Sequence, residues 1–126
     1  MALAYSLDPS QRIARFLLRE QPALPEVEAV LDQLIADPLF GAGFGVLINR
    51  WHLIAEPDES YVRGAIEAIA ERRLHFADVR WAAVTSHLAG YRMGRLIMEP
   101  FAEKRGIAYR VFMDEGEATR WLSGGS

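Results

Sequence analysis

An apolar run near the middle of the chain, from Phe44 to Ile48, is the clearest strand signal in the sequence. Glycines precede it, and polar residues follow it from Asn49 to His52. A short continuous apolar run of this kind is typical of a parallel strand that is buried on both faces of its sheet. Such a strand needs helices on both sides, so the pattern predicts a layered α/β protein.

Four further strands are predicted around this run. Leu3, Tyr5 and Leu7 alternate with small or polar residues, and the turn residues 8–10 connect them to a more apolar strand over residues 12–20. Residues 79–85 form another run of the buried type, and residues 108–113 form the last strand. The chain therefore opens with an antiparallel hairpin and continues with three separated strands.

Helices are predicted between the later strands. Pro25 at a first helical position, with Glu26 in the opening turn, begins the first helix. Its apolar residues recur at helical spacing, which predicts one buried stripe. They are Val27, Val30, Leu31, Leu34 and Ile35. A second helix is expected over residues 61–73.

The third and fourth helices carry local signals of their own. The third is expected over residues 88–105 with a kink at Pro100, because proline lacks the amide that would bond to Leu96. The fourth is short, begins after Asp114 and ends at Trp121 and Leu122. Glu117 follows Asp114 by three residues, as in a capping box.

This order of elements predicts the fold class. Alternating strands and helices imply right-handed crossovers, and hence an α/β fold with a five-stranded, mostly parallel mixed sheet. An N-terminal antiparallel hairpin and about four helices covering both faces complete it. One domain is expected over residues 1–122, with a disordered tail over residues 123–126. The residues predicted to be buried in the sheet or to cover it are Phe16, Leu18, Val46, Leu47, Ile48, Ala82, Val84, Val111, Val30, Leu31, Leu34, Ile66, Ile69 and Trp121.

Composition narrows the range of partners. The 126 residues include 14 basic and 17 acidic ones without a block of like charge, which argues against nucleic acid as the main partner. Cysteine is absent, so no disulfide or thiol site is available. Neither a signal peptide nor a membrane-spanning run is recognisable. A cytoplasmic protein without a cofactor is therefore expected.

The glycines at 41, 43 and 45 resemble a phosphate-binding loop only in composition. Such a loop follows a strand and precedes a helix, whose amides then face the phosphate. Here the glycines precede a strand, which favours a plain flexible connection.

Polar side chains cluster where the parallel strands end. These are Asn49, Arg50 and His52 after the central strand, Thr85, Ser86 and His87 after the next, and Asp114 after the last. Ligands of α/β proteins bind at this edge of the sheet, so Asn49, His52, Ser86 and His87 are candidate ligand-binding residues. The histidines have no third partner at metal-ligand spacing, and no nucleophile elbow accompanies the serines. Neither a metal site nor a catalytic residue is therefore predicted.

The third helix adds two further candidates and an excess of apolar surface. Arg92 and Arg95 are three residues apart and are expected to hold an anionic group of a ligand. The apolar residues of this helix exceed what one buried face needs; they are Met93, Leu96, Ile97, Met98 and Phe101. They can serve core packing, a ligand pocket or a homodimer interface.

The chain also resembles a known family in two places. The central strand ends in Leu47-Ile48-Asn49-Arg50, and the closing segment combines Val111-Phe112-Met113-Asp114 with Glu117-Ala118 and Trp121-Leu122. Together with the order of elements, these segments look like the SpoIIAA-like (STAS/SEC14-type) family of small bacterial proteins. The resemblance implies a five-stranded mixed sheet and a regulatory or ligand-binding role without catalysis.

The chain departs from the family where anti-anti-sigma factors of the STAS type carry a phosphorylated serine. Asp58 stands at that position and Ser60 follows two residues later, while Asn49 replaces the aspartate that ends the third strand. Asp58 and Ser60 are candidate regulatory residues, with Asp58 either a permanent negative charge or a helix cap. The resemblance favours a non-enzymatic module that docks a regulatory protein partner. The alternative is a binder of a small apolar or anionic amphiphilic, lipid-like ligand at the strand ends.

Overall fold

The computed structural model describes residues 2–51, 53 and 58–124. Its strands are β1 (Leu3–Asp8), β2 (Ile13–Leu18), β3 (Gly45–Asn49), β4 (Arg80–Val84) and β5 (Ala108–Phe112). Its helices are α1 (Leu24–Ala36), α2 (Glu59–Glu71), α3 (Leu88–Met93), α4 (Glu99–Glu103) and α5 (Glu115–Leu122). A π-helical segment, Gly94–Met98, joins α3 to α4, and we call these three pieces together the compound helix.

The strands lie in the sheet in chain order, β1-β2-β3-β4-β5. β1 runs antiparallel to β2, and the other pairs are parallel. The predicted α/β fold with a five-stranded mixed sheet is thereby confirmed, with four helices when the compound helix is counted once. Because right-handed crossovers all step in one direction along the sheet, α1, α2 and the compound helix lie on the same face.

The two faces of the sheet bury two separate cores. The first face packs against α1, α2 and the compound helix; among its sheet residues are Ala14, Phe16, Val46 and Trp81. The second face packs against α5, and the buried residues of its core are Ile13, Leu47, Ala82, Val84, Phe112, Ala118 and Leu122. Side chains of a strand alternate between the faces, so neighbouring residues such as Trp81 and Ala82 belong to different cores.

Eleven of the residues expected to be buried are so: Phe16, Val30, Leu31, Leu34, Val46, Leu47, Ile66, Ile69, Ala82, Val84 and Val111. Leu18, Ile48 and Trp121 are only half-buried. The Trp121 ring packs against the second core, and the guanidinium groups of Arg80 and Arg110 lie 5.1 Å and 5.6 Å from its centroid.

The helix expected over residues 88–105 is irregular one turn before Pro100. The Glu99 amide donates to the Gly94 carbonyl, five residues back, which defines the wider π turn. In a regular α-helix the ring of Pro100 would clash with the carbonyl of Leu96, and widening the turn relieves that contact. Gly94 lets this turn approach β5, since an added Cβ would lie 2.3 Å from Val111 Cγ2.

Helix starts follow the sequence signals. α1 carries proline in its first turn together with Glu26, and Asp114 caps α5 by accepting from the Glu117 amide. Directly after α5, the Ser123 amide and hydroxyl both donate to the Thr119 carbonyl. The last two residues of the predicted tail, 125 and 126, lie outside the described residues. Within the described residues no helix has the length and apolar character needed to cross a bilayer.

Candidate functional site

A cavity of about 110 Å³ lies between the first face of the sheet and the three helical units. Its walls are almost wholly apolar and come from β1 to β5, α1, α2 and the compound helix. It reaches the carboxyl ends of the parallel strands, where α/β folds place their ligands. Leu18 and Ile48 line it, which accounts for their partial exposure.

Small residues create this space. Ala83 on β4, Ala65 on α2 and Gly90 on α3 line the cavity. Larger side chains nearby, such as Trp81 and Met98, are fully buried and hold the helices away from the sheet. The short side chains cannot fill the gap that remains, because helices keep the spacing set by their largest contacts.

Polar side chains lie in the wall near the strand ends. Arg50 follows β3, is the only charged residue among the described lining residues and is held by a bond from its amide to the Val84 carbonyl. Its guanidinium also donates to Gln21 Oε1 at 3.3 Å. Tyr61 donates to the Pro22 carbonyl at 2.6 Å, and burial raises the pKa of its phenol. Thr85, at the end of β4, is almost completely buried.

The predicted residue Asn49 lies on the second face instead. Its amide donates to Glu115 Oε1 of α5 at 2.8 Å, and its Oδ1 accepts from the Trp51 amide at 2.8 Å. Because strand side chains alternate, Asn49 and its neighbour Arg50 face opposite sides, and only Arg50 lines the cavity.

The side chains of Ser86 and His87 form hydrogen bonds to the backbone of two residues that follow β3. The Ser86 hydroxyl donates to the Trp51 carbonyl, and His87 Nε2 donates to the Leu53 carbonyl, each at 3.2 Å. A carbonyl oxygen only accepts, so His87 is the donor in this bond. Neither side chain lines the cavity, and His52 lies outside the described residues.

The two arginines of the compound helix also lie away from the cavity. Arg92 is exposed, while Arg95 forms an ion pair with Glu99 at 3.3 Å and donates to the Tyr91 hydroxyl. Of the predicted ligand-binding residues that the structure describes, none lines the cavity. Leu96 and Ile97 of the same helix are exposed, whereas Met98 is buried in the first core.

Asp58 caps α2. Its Oδ1 accepts from the Tyr61 amide at 2.8 Å and from the Ser60 hydroxyl at 3.0 Å, and these bonds lower the pKa of the carboxyl. The geometry is that of an ordinary N-cap, with Ser60 as its partner.

Sequence reasoning passed over Tyr61, Ala65, Trp81 and Ala83 as site residues. The available signals were the alternation of Trp81, Ala83 and Thr85 on one face and the spacing of Gly90 and Gly94 by one helical turn. Both signals are equally typical of close packing, so the sequence could not distinguish a filled core from a cavity.

Comparison of the chain with protein-family models, with curated proteins and with solved structures returns no significant match. Among the described residues, no cluster of three or more histidine, aspartate or glutamate side chains could hold a metal ion. The cavity and its wall are therefore the features from which a function is inferred.

Proposed function

We propose that this protein binds a small apolar or anionic amphiphilic molecule in the cavity at the strand ends, without catalysing a reaction on it. The observation that carries the proposal is an apolar cavity of about 110 Å³ with one charged side chain, Arg50, in its described wall. Close-packed proteins leave few voids larger than a water molecule, so an apolar space of this size needs an explanation.

The volume of the cavity limits the size of the ligand. A cavity of about 150 Å³ takes up benzene, so the space here suits an apolar body of about four or five heavy atoms. A long acyl chain does not fit, which narrows the lipid-like alternative to short chains and small rings. Arg50 suits a carboxylate or another anion at the end of such a body, because a guanidinium donates two parallel hydrogen bonds to it.

Uptake of an apolar body is tested with xenon, which enters dry cavities. Xenon should shift the methyl NMR signals of Ile48, Ile66 and Val111 in a saturable way. Ala65→Leu fills the cavity and should abolish these shifts, whereas Ala29→Leu, an exposed change on α1, should preserve them. Equal response of both variants, or no response of the wild type, would contradict the proposal.

The role of Arg50 is tested with butanoate and 1-butanol. Arg50→Gln should weaken butanoate binding about tenfold, the equivalent of roughly 1.4 kcal/mol, and should reduce its salt dependence. Binding of 1-butanol should change little. Arg92→Gln is the matched control because Arg92 is exposed and lies outside the cavity wall. A larger loss with Arg92→Gln would move the anion site to the compound helix.

Docking of a protein partner is the second candidate, and exposed apolar side chains on the compound helix favour it. Leu88 is 52% exposed, Leu96 76% and Ile97 37%. The resemblance to SpoIIAA-like regulators points in the same direction, and the five-stranded mixed sheet with four helices is compatible with that family. Such residues occur singly on many surfaces, so this candidate rests on their concentration in one helix.

Sedimentation equilibrium tests the homodimer form of this second candidate. Wild-type protein should self-associate and Leu96→Glu should be monomeric with an unchanged melting temperature. Leu74→Glu is the control, since Leu74 is 91% exposed and lies outside the compound helix. A monomeric wild type would remove the homodimer.

A further inference from the structure

The connection between β2 and α1, residues 19–23, forms part of the cavity wall. Four of its five residues are exposed to solvent, whereas Pro22 is buried and lines the cavity. The neighbours of Pro22 on both sides thus lie on the outer surface of the protein. Pro22 therefore lies between the cavity and the solvent-exposed part of the connection.

The two ends of this connection are anchored. The Arg19 amide donates to the Ala2 carbonyl at 2.9 Å, and the Ala23 carbonyl accepts from two amides of α1. Leu24 packs so closely on α2 that a Cβ added to Gly64 would lie 2.7 Å from its Cδ1. Only the three residues between Arg19 and Ala23 lack an anchor of this kind.

Two side-chain donors hold the middle of the connection. The Tyr61 hydroxyl donates to the Pro22 carbonyl at 2.6 Å, and the Arg50 guanidinium donates to Gln21 Oε1 at 3.3 Å. Both donors also line the cavity. Within the part of the chain that the structure describes, no other hydrogen bond involves the backbone of residues 20–22. A segment with so few backbone bonds opens locally at low cost in free energy.

We propose that residues 19–23 are a gate that opens to admit the ligand, and that the Tyr61 hydroxyl keeps this gate closed by holding the Pro22 carbonyl. The inference rests on the proposed function and adds the route of ligand entry and its control. A cavity surrounded by close-packed elements takes up a ligand only when a segment of its wall moves aside. The connection is the segment with the fewest backbone bonds to break.

A cysteine introduced into the cavity wall measures how often the gate opens, because the natural chain contains no cysteine. Ala83→Cys places a thiol in the wall on β4. Methyl methanethiosulfonate modifies this thiol when the reagent reaches the cavity, and mass spectrometry follows the reaction. Adding Tyr61→Phe removes the bond to Pro22 and should accelerate labelling about threefold to tenfold, the effect of one lost hydrogen bond.

Tyr5→Phe is the matched control. The Tyr5 hydroxyl donates to Asp37 Oδ2 at 2.8 Å, and Tyr5 lies outside the described cavity wall. Tyr5→Phe should leave the labelling rate of Ala83→Cys unchanged. In the Ala82→Cys protein the thiol lies in the second core, so labelling should be slower and should respond alike to Tyr5→Phe and Tyr61→Phe, because only global unfolding exposes it.

Ligand entry itself is measured with 1-butanol and the protein without introduced cysteines. Relaxation dispersion of the Ile66 methyl signals at several concentrations of 1-butanol gives its association rate. Tyr61→Phe should raise this rate by the same factor as it raises labelling, since both need the open gate. An unchanged association rate would mean that the ligand enters by another route, which overturns the inference.

The labelling outcomes separate this inference from the proposed function. Equal acceleration of Ala83→Cys labelling by Tyr61→Phe and Tyr5→Phe would mean that the reagent enters through global unfolding, which overturns the inference. No acceleration by Tyr61→Phe overturns it as well, and uptake of xenon and butanoate would then leave the ligand site standing. Labelling needs no ligand, so the expected labelling rates in a protein that takes up neither xenon nor butanoate overturn the proposed function and leave the gate.

Discussion

The two faces of the sheet use small residues in opposite ways. On the second face, Gly45 lets α5 approach so closely that an added Cβ would lie 2.8 Å from Leu122 Cδ2. On the first face, Ala83 and Gly90 leave a cavity of about 110 Å³. Small residues thus close one core and open the other, because the spacing of helix and sheet is set by the largest side chains between them. The presence of small residues in a core therefore does not show whether that core is filled or holds a cavity.

The largest expected effect concerns the tight second face. Leu47 is 1% exposed there, so Leu47→Asp should abolish cooperative unfolding by burying an unpaired charge. Leu17→Asp on the neighbouring strand is the control, because Leu17 is 52% exposed. Circular dichroism during heating checks both variants. A cooperatively melting Leu47→Asp protein would show that this face is not a closed core.

The sharpest comparison of the faces uses adjacent residues of β4. Ala82→Val adds two methyl groups to the tight core and should cost about 1–3 kcal/mol. Ala83→Val adds the same atoms beside the cavity and should be neutral or stabilise by up to about 1 kcal/mol. Urea denaturation measures both free energies of unfolding, and the shared strand cancels differences in β propensity. Equal costs would mean that the cavity closes in solution.

A smaller effect is expected at the close contact beside the cavity. Gly94→Ala would force its new methyl group against Val111, which should cost about 1–3 kcal/mol, offset in part by about 1 kcal/mol of helix propensity. Adding Val111→Ala should make the Gly94→Ala change favourable. A double-mutant cycle in urea checks this sign reversal, and additive effects would place the strain elsewhere.

The smallest effect lies at the edge of the first face, where Glu99 accepts from the Val111 amide at 2.9 Å. Burial raises the pKa of Glu99, so the folded protein retains this proton at higher pH than the unfolded chain does. The associated stability is complete below the unfolded pKa and is lost as pH rises through the folded pKa. Glu99→Gln should therefore gain stability relative to wild type as the pH rises above the ordinary carboxyl pKa of about 4.

Melting temperatures of the wild type and of Glu99→Gln, measured at a series of pH values from about pH 4 upwards, test this prediction. Glu103→Gln, an exposed change on the same helix, should follow the wild-type profile. If the melting temperature of Glu99→Gln instead falls relative to that of the wild type as pH rises, the ion pair with Arg95 outweighs the effect of burial.

Local patterns predicted the fold well and the site only in part. Periodicity placed every strand and helix, and the caps at Asp58 and Asp114 agree with their sequence signals. The edge of the sheet at which polar residues gather was also evident. The sequence did not indicate which residues line the cavity. Asn49 and Arg50 are adjacent, and only the orientation of the strand decides which of the two side chains faces the cavity.

What the sequence determined by itself was the set of elements, their order and the alternation that assigns residues to faces. These depend on neighbours within a few positions and on the right-handedness of crossovers. Only the tertiary structure decided that one face is filled and the other holds a cavity. A void depends on how side chains from distant elements, such as Trp81, Ala65 and Gly90, divide the same space, and no local pattern records that division.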